Sequence, residues 1–176
     1  MAHVKRLAIL LFLFCGIFIG PAAAGLPTED AVKASYLYKF APFVDWPSSA
    51  FATATAPLFI CIAGADPFGE ALDEAVRGEK VNGHPIAVRR LGSEQPDGHC
   101  HILFAGKGES AEEMLHAVVH QPVLTVTDRS EGVGGGMIQF VTVEGRVRFM
   151  VDEAAAQGSG IVISSKLLGL AVSVTR

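Results

Sequence analysis

"PLFICIAGADPFGEALDEAV", residues 57–76, joins an apolar run to a stretch with helical spacing. Its first part, Pro57 to Gly64, is a short apolar run rich in β-forming residues and closed by a glycine, which predicts a buried strand. Residues 65–76 begin with turn residues and continue with the spacing of an amphipathic helix. A strand, a loop and a helix are therefore expected in that order.

The same order recurs further along the chain. The later segments that predict a strand, a helix and a strand are "HCHILFAG" (99–106), "ESAEEMLHAVVH" (109–120) and "PVLTVTD" (122–128). Between the two units, Asn82-Gly83 predicts a tight turn before an alternating strand at residues 86–91. Strands that alternate with helices predict a parallel sheet covered on both faces.

The two ends of the chain add other elements. A helix is predicted from Glu29, and Pro42 should kink it or end it near Ala41. The predicted core stripe of this helix consists of Val32, Tyr36, Phe40 and Phe43, and Leu37 and Val44 widen it. Residues 137–152 alternate on both sides of Glu144-Gly145, which predicts an antiparallel hairpin at one edge of the sheet. Residues 164–174 begin with a serine N-cap and end the chain as a helix or a strand.

These elements together predict an α/β fold. We expect a largely parallel central sheet flanked by helices, with an antiparallel hairpin at one edge. A mature chain of this length is enough for one domain with a sizeable core, which we place at residues 25–176.

The first 24 residues predict an export signal rather than a part of the fold. Lys5 and Arg6 precede an apolar run of about fourteen residues, and Ala22 and Ala24 are the small residues of a cleavage site. An uncleaved anchor is disfavoured because a spanning helix needs ~20 apolar residues. We expect a signal peptide at residues 1–24 that is removed after Ala24.

Charge excludes one class of partner. The sequence has 14 basic and 18 acidic residues, and loss of Lys5 and Arg6 with the signal leaves 12 basic residues and a formal charge of −6. Nucleic-acid binding relies on positive charge against phosphates. We therefore expect no nucleic-acid partner.

The mature chain keeps Cys61 and Cys100. In the oxidising conditions that exported proteins meet, two cysteines allow one intramolecular disulfide. If they lie on neighbouring strands, the bridge closes a loop of about 40 residues, worth roughly 4 kcal/mol in the chain-entropy model. Two buried free thiols are the alternative interpretation.

Residues 34–51 hold both tyrosines, the single tryptophan and three phenylalanines of a chain that is only 8 % aromatic. On a helix, Tyr38 and Trp46 point away from the predicted core stripe, and Phe51 lies beyond it. Exposed aromatic side chains are enriched where one protein docks on another. We therefore predict that Tyr38, Trp46 and Phe51 bind a partner.

Loops that follow strands offer a second candidate site. Asp66 lies in "GADPFG" and Lys107 in "FAGKGES", each directly after a predicted strand. The carboxyl ends of parallel strands gather at one edge of a sheet, where such folds place their ligands. We predict a ligand-binding role for Asp66 and Lys107.

The histidines permit a metal hypothesis. His99 and His101 would share one face of a strand, and His116 and His120 one face of the next helix, with residue types that bind zinc. Nothing in the sequence shows that the two pairs meet, and no HExxH motif is present. A metal-dependent hydrolase is therefore the least favoured interpretation.

Nucleophilic catalysis is not indicated either. Ser164, Ser165 and Lys166 do not satisfy SxxK, and GxSxG is absent from the sequence. A helix cap explains Ser164. We expect a protein that is not an enzyme, with no catalytic residues, no metal and no cofactor.

The combination of segments resembles the YfiR family of exported bacterial proteins. The segments that carry the resemblance, in order, are "KASYLYKFAPFVDWP" (33–47), "FICIAGADPFG" (59–69), "HCHILFAG" (99–106), "PVLTVTD" (122–128), "GGMIQFVTVEGRVRFMV" (135–151) and "ISSKLLGLA" (163–171). The likeness covers about Ala31 to Val172. It implies a periplasmic α/β domain, often dimeric, that restrains a membrane-bound diguanylate cyclase by binding its periplasmic part and so lowers cyclic di-GMP and biofilm formation.

The resemblance also bears on individual residues. Family members carry a disulfide between the strands that match Cys61 and Cys100, which implies that these two residues pair. A second cysteine pair known in the family has no counterpart here, and Pro42 is a further departure from the family pattern.

Several functions follow as hypotheses. The first is a periplasmic regulator whose partner is a membrane-bound cyclase or a sensor kinase, with a homodimer as a possible assembly. The second is a periplasmic small-molecule sensor that uses Asp66 and Lys107.

Overall fold

The computed structural model describes residues 26–92 and 99–176. The α-helices in this part of the chain are α1 (Glu29–Phe40), α2 (Glu70–Val76), α3 (Glu109–Ala117), α4 (Glu153–Gly158) and α5 (Ser165–Leu168). Its β-strands are β1 (Val44–Asp45), β2 (Leu58–Ala63), β3 (Lys80–Val81), β4 (His84–Leu91), β5 (Ile102–Ala105), β6 (Leu124–Asp128), β7 (Ile138–Val143), β8 (Arg146–Asp152), β9 (Val162–Ile163) and β10 (Ser173–Thr175). The predicted signal peptide, residues 1–24, lies outside the described residues. None of the helices in residues 26–92 and 99–176 has the length and apolar character needed to cross a membrane.

One mixed sheet organises the domain. Its strand order is β10, β8, β7, β6, β5, β2, β4, β3, and most neighbours are parallel. The antiparallel pairs in this sheet are β7 with β8 and β3 with β4, and a separate short antiparallel ladder joins β1 to β9. The prediction of an α/β fold with a largely parallel sheet is confirmed.

The predicted hairpin forms between β7 and β8, but it does not end the sheet. Glu144 and Gly145 have φ angles of 51° and 70°, as a two-residue hairpin turn requires. The placement at the edge was wrong, because β10 pairs in parallel with β8 and becomes the last strand. The chain end is both a helix and a strand: Ser164 caps α5 by accepting a hydrogen bond from the Leu167 amide, and β10 follows.

Helices cover both faces of the sheet. Ile60 and Ile62 of β2 pack in the core on the side of α1 and α2, with Leu72 of α2 in the same cluster. Cys61, the residue between them, points to the opposite face and packs with Met114 of α3. This alternation follows from the two-residue period of a strand and explains why β2 reads as a continuous apolar run.

The buried face of helix α1 matches the predicted one only in part. Its buried residues are Lys33, Ala34, Leu37 and Phe40. Of the predicted stripe, Leu37, Phe40 and Val44 are buried, whereas the other members are only half-buried: Val32, Tyr36 and Phe43. The helix ends at Phe40 and continues as a 3-10 turn at residues 41–43 that contains Pro42, which confirms the predicted end near Ala41.

Candidate functional site

The loops after β2 and β5 meet at the point where the sheet changes direction. The connection from β2 through α2 leads to β4 on one side, and the connection from β5 through α3 leads to β6 on the other. Adjacent strands whose crossovers run in opposite directions leave a crevice at their carboxyl ends. This crevice is the place at which the sequence predicted a ligand site.

The backbones of these two loops pack directly on each other. The Ala65 amide donates to the Lys107 carbonyl at 2.9 Å, and the Gly106 amide donates to the Ala63 carbonyl at 2.8 Å. A Cβ on Gly106 would lie 2.0 Å from the Ala65 carbonyl oxygen, so only glycine permits this approach. The loops are therefore fixed relative to each other.

A cavity of about 210 Å³, called here the crevice cavity, opens beside the crevice. The charged residues that line it are Asp30, Lys107, Asp128 and Glu131. The Lys107 ammonium forms an ion pair with Glu131 at 2.7 Å, and both side chains are more than half exposed. The crevice cavity thus offers both signs of charge.

Asp66 takes a structural position instead. Its carboxylate accepts hydrogen bonds from the amides of Phe68 and Gly69, which shape the turn into α2. It also accepts from Arg90 at 2.7 Å, and Arg90 in turn binds Asp73 of α2. The Arg90 guanidinium holds the pKa of Asp73 below its usual value. Asp66 does not line the crevice cavity, and the ligand-binding role of Asp66 and Lys107 stays a prediction.

A buried ion pair lies under the crevice cavity and was not predicted. Lys33 of α1 and Asp128 at the end of β6 are each 2 % exposed. The Lys33 ammonium lies 2.5 Å from Asp128 and 2.6 Å from Glu29. Asp128 also accepts hydrogen bonds from the amide and the hydroxyl of Ser130. We call Lys33, Glu29, Asp128 and Ser130 the lysine network.

The electrostatics of the lysine network follow from its partners. Burial lowers the pKa of Lys33, but hydrogen bonds to Asp128 and Glu29 outweigh burial, so the pKa is raised above its usual value of 10.5. Lys33 is therefore charged at neutral pH. A signal for it existed in the sequence, since Lys33, Leu37 and Phe40 recur at the spacing of one helix face.

Trp46 and Phe51 come together, whereas Tyr38 does not join them. Their ring centroids are 6.4 Å apart in an edge-to-face arrangement. Tyr38 instead lies under its neighbour Lys39, whose ammonium is 5.6 Å from the ring centroid. All three aromatic side chains are half-buried and pack against the core. Their predicted role in partner binding is not tested by this geometry and stays a prediction.

Phe51 is held between two imidazoles. Its ring centroid lies 3.9 Å from that of His84 and 4.3 Å from that of His101, with interplanar angles of 21° and 26°. His84 opens β4, and His101 directly precedes β5. Residues at the starts of two strands therefore hold one side chain of the segment that leads into β2.

The hydrogen bonds of His101 define its protonation. Its Nδ1 accepts from the Phe59 amide at 3.1 Å, so the ring proton lies on Nε2, which donates to the Ala50 carbonyl at 3.0 Å. His101 is 4 % exposed. Burial lowers its pKa, only partly opposed by the Ala50 hydrogen bond, and positive charge on His84 and His99 lowers it further.

A second cavity, of about 240 Å³ and called here the tryptophan cavity, adjoins this aromatic group. Its lining includes Trp46, Phe51 and His84 together with Asp45 and Asn82. The indole nitrogen of Trp46 is buried and, among the residues that the structure describes, has no hydrogen-bond partner. Buried polar atoms are normally paired. Trp46 therefore has an unused donor at this end of the sheet.

The predicted histidine pairs do not form. His101 precedes β5 and is buried while His99 is exposed, so the two do not share a strand face. Helix α3 ends at Ala117, and His120, with a φ of 62°, lies beyond it. Within residues 26–92 and 99–176, no group of three or more His, Cys, Asp or Glu side chains is placed to hold a metal ion.

Cys61 and Cys100 form a disulfide with their Cα atoms 5.8 Å apart. The bridge links β2 to the segment that carries His101, and both cysteines are buried on the α3 face. It therefore anchors the residue next to the imidazole that holds Phe51.

A compact α/β domain closed by a disulfide is typical of proteins that act outside the cytosol. The chain belongs to the YfiR/HmsC-like family, whose sequence model matches residues 30–172. This family consists of periplasmic, non-catalytic regulators of cyclic di-GMP signalling, and the resemblance noted from the sequence is confirmed. No curated protein matches the chain.

Proposed function

We propose that the mature protein, residues 25–176, binds the periplasmic part of a membrane-bound diguanylate cyclase and holds it in an inactive state. The observation that carries this proposal is the family match over residues 30–172, because proteins of this family generally act with such a cyclase. A regulator of this kind works by binding one state of its target more tightly than the other.

The surface around Trp46 and Phe51 supports the proposal. Both side chains are half-buried, so each keeps part of an aromatic ring accessible while the rest is fixed by the core. Rigid aromatic residues that lose little entropy on binding dominate protein interfaces. The exposed residues Asp45, Ser48 and Ser49 next to them provide a polar rim.

A photo-crosslinking experiment tests this proposal. A photoreactive amino acid replaces Ser49, which is exposed beside Trp46 and Phe51, and a control chain carries it at Glu112, exposed on α3. We expect the probe at Ser49, but not at Glu112, to capture a membrane protein that mass spectrometry identifies by its cyclase domain. Capture of a sensor kinase would replace the proposed partner, and equal capture from both positions would exclude this surface.

A variant adds a quantitative measurement. Trp46→Ala should weaken binding to the captured partner about 30-fold, since loss of an aromatic anchor typically costs ≥ 2 kcal/mol. Circular dichroism checks that the variant is folded. An unchanged affinity in a folded variant would remove Trp46 from the interface.

A small-molecule sensor is the second candidate function, favoured by the crevice cavity. Lys107 and Glu131 at its rim, with Asp30 and Asp128, suit a small zwitterionic ligand. A thermal-shift screen of amino acids should then find a compound that raises the melting temperature increasingly as its concentration exceeds the Kd. The shift should disappear in Lys107→Met, and its persistence there would place the ligand elsewhere.

A further inference from the structure

The segment between β1 and β2 is attached to the sheet through two histidines. We call residues 46–57 the latch segment. The Nε2–H of His101 donates to the Ala50 carbonyl at 3.0 Å, and the Nδ1 of His84 donates to the Ala56 carbonyl at 2.6 Å. Between these two anchors, Phe51 fills the gap between the imidazole rings.

His101 can keep this arrangement only while it is neutral. Its Nδ1 already faces the Phe59 amide, which is a donor, at 3.1 Å. A second ring proton would occupy Nδ1, so that two donors would face each other and the Phe59 amide would lose its acceptor. A partly buried amide without an acceptor is unfavourable, and the ring has to move.

The charged groups around His101 do not stabilise the protonated ring. His84 of β4 stacks on the other side of Phe51, and both His84 and His99 disfavour a further positive charge. Arg89 of β4 adds a cation 3.6 Å above the ring of Phe59. Asp45 of β1 is exposed and lines the tryptophan cavity together with His84. A cation–π contact with Phe51 favours charge but leaves the Phe59 amide unpaired.

We propose that His101 and His84 form an acid-sensitive latch that holds residues 46–57 against the sheet and releases them when the surroundings become acidic. The disulfide at Cys61 and Cys100 fixes the sheet side of this latch, so the segment moves rather than the strand. Because the family is periplasmic, external acidity is a signal that can reach it. The proposal does not depend on the identity of any partner.

The direction of the effect follows from the protonation of His101. In the closed latch its pKa lies below 6.5, the value expected once the ring is released into water. The closed form is therefore fully stabilised above pH 6.5 and loses this stabilisation as the pH falls through the lower, closed-state pKa. Each unit by which the pKa is depressed favours opening by about tenfold at low pH.

Trp46 provides a built-in reporter. It is the single tryptophan of the chain and lies 6.2 Å from His101. Acrylamide quenching of its fluorescence measures exposure of the indole, and this separates release of the segment from simple quenching by a protonated imidazole. We expect the quenching constant to rise severalfold between pH 7.5 and pH 5, with a midpoint below pH 6.5.

Matched variants assign the transition. His116→Gln, at an exposed position on α3, should keep the full transition, whereas His101→Gln should show quenching that does not change with pH. A wild-type quenching constant that is equal at both pH values would overturn the proposal, and so would a full transition in His101→Gln.

Hydrogen exchange of the unmodified protein gives a second readout in case His101→Gln does not fold. After correction for the intrinsic pH dependence of exchange, amides of residues 48–56 should lose protection by about tenfold at pH 5. The amides of β6 serve as the internal reference and should stay protected. Simultaneous loss in β6 would mean global acid unfolding and would also overturn the latch.

Discussion

The lysine network and the histidine latch fasten neighbouring parts of the chain to the same sheet by opposite means. Lys33 and Asp128 are buried as a pair of opposite charges, so each needs the other. His84 and His101 are joined to backbone carbonyls and to Phe51, and His101 holds its place only while it is neutral. A paired charge makes an attachment that persists over a wide pH range, whereas a neutral imidazole makes one that protonation can break.

The two regions should respond to pH in opposite directions. The pKa of Lys33 is raised above 10.5, so its contribution to stability is complete below pH 10.5 and is lost only as the pH rises through the raised value. The contribution of His101 is lost on the acid side. Between these limits both attachments hold.

The largest effect is expected from breaking the buried pair. Lys33→Met leaves Asp128 buried without its cation, and we expect unfolding free energy to fall by about 4 kcal/mol. Urea denaturation measures this change in the free energy of unfolding. Lys107→Met is the matched control, because it breaks the exposed pair with Glu131 and should cost less than about 1 kcal/mol. Similar losses in the two variants would mean that burial does not distinguish these ion pairs.

The disulfide should have the next largest effect. Replacement of Cys61 and Cys100 by alanine releases a cross-link that spans a sequence separation of 39. We expect a loss of about 3 kcal/mol, below the roughly 4 kcal/mol of the chain-entropy model because unfolded chains retain some structure. The loss of the disulfide should destabilise the attachment of residues 46–57 more than the lysine network, because Cys100 adjoins His101. Acrylamide quenching of Trp46 at pH 7.5 should therefore increase in this variant, and an unchanged value would separate the disulfide from the latch.

A substitution at Phe51 should have a smaller effect on stability and tests the latch directly. Phe51→Ala removes a half-buried ring and should lower the unfolding free energy by about 2 kcal/mol at pH 7.5, less than the loss for a fully buried phenylalanine. At pH 5 the released segment no longer uses this ring, so the loss should shrink. Urea denaturation at both pH values checks this, and an equal loss at the two values would contradict an acid-sensitive attachment.

The smallest effect belongs to the exposed end of the lysine network. The side chain of Glu29 is 49 % exposed although it contacts Lys33 at 2.6 Å. Glu29→Gln should therefore lower stability by only about 0.5 kcal/mol, as measured by urea denaturation. A loss as large as that of Lys33→Met would show that Glu29, rather than Asp128, is the partner that keeps Lys33 buried.

Sequence patterns predicted the sheet better than they predicted either attachment. Apolar runs such as residues 58–63 identify their strands because burial on both faces demands them. The burial of Lys33 was not predicted, because a charged residue is assigned to the solvent side of a helix unless its partner is known. Its partner Asp128 lies 95 residues away in the sequence. The stacking of His84 and His101 on Phe51 depends on strand order, which local periodicity does not encode.

The aromatic residues show the same limit. Trp46 was placed off the core stripe by extending the spacing of α1, but the chain leaves that helix at Phe40 and enters β1. The half-buried state of Trp46 and Phe51 arises from packing against the sheet and its histidines. A helical wheel does not contain these contacts.

The cyclic di-GMP concentration in a strain that lacks this protein tests whether the protein restrains a cyclase. We predict that deletion raises cyclic di-GMP and that restoring the gene returns it to the original level, because a restrained cyclase would be released and then captured again. An unchanged concentration in the deletion strain would contradict a restraining role for this protein.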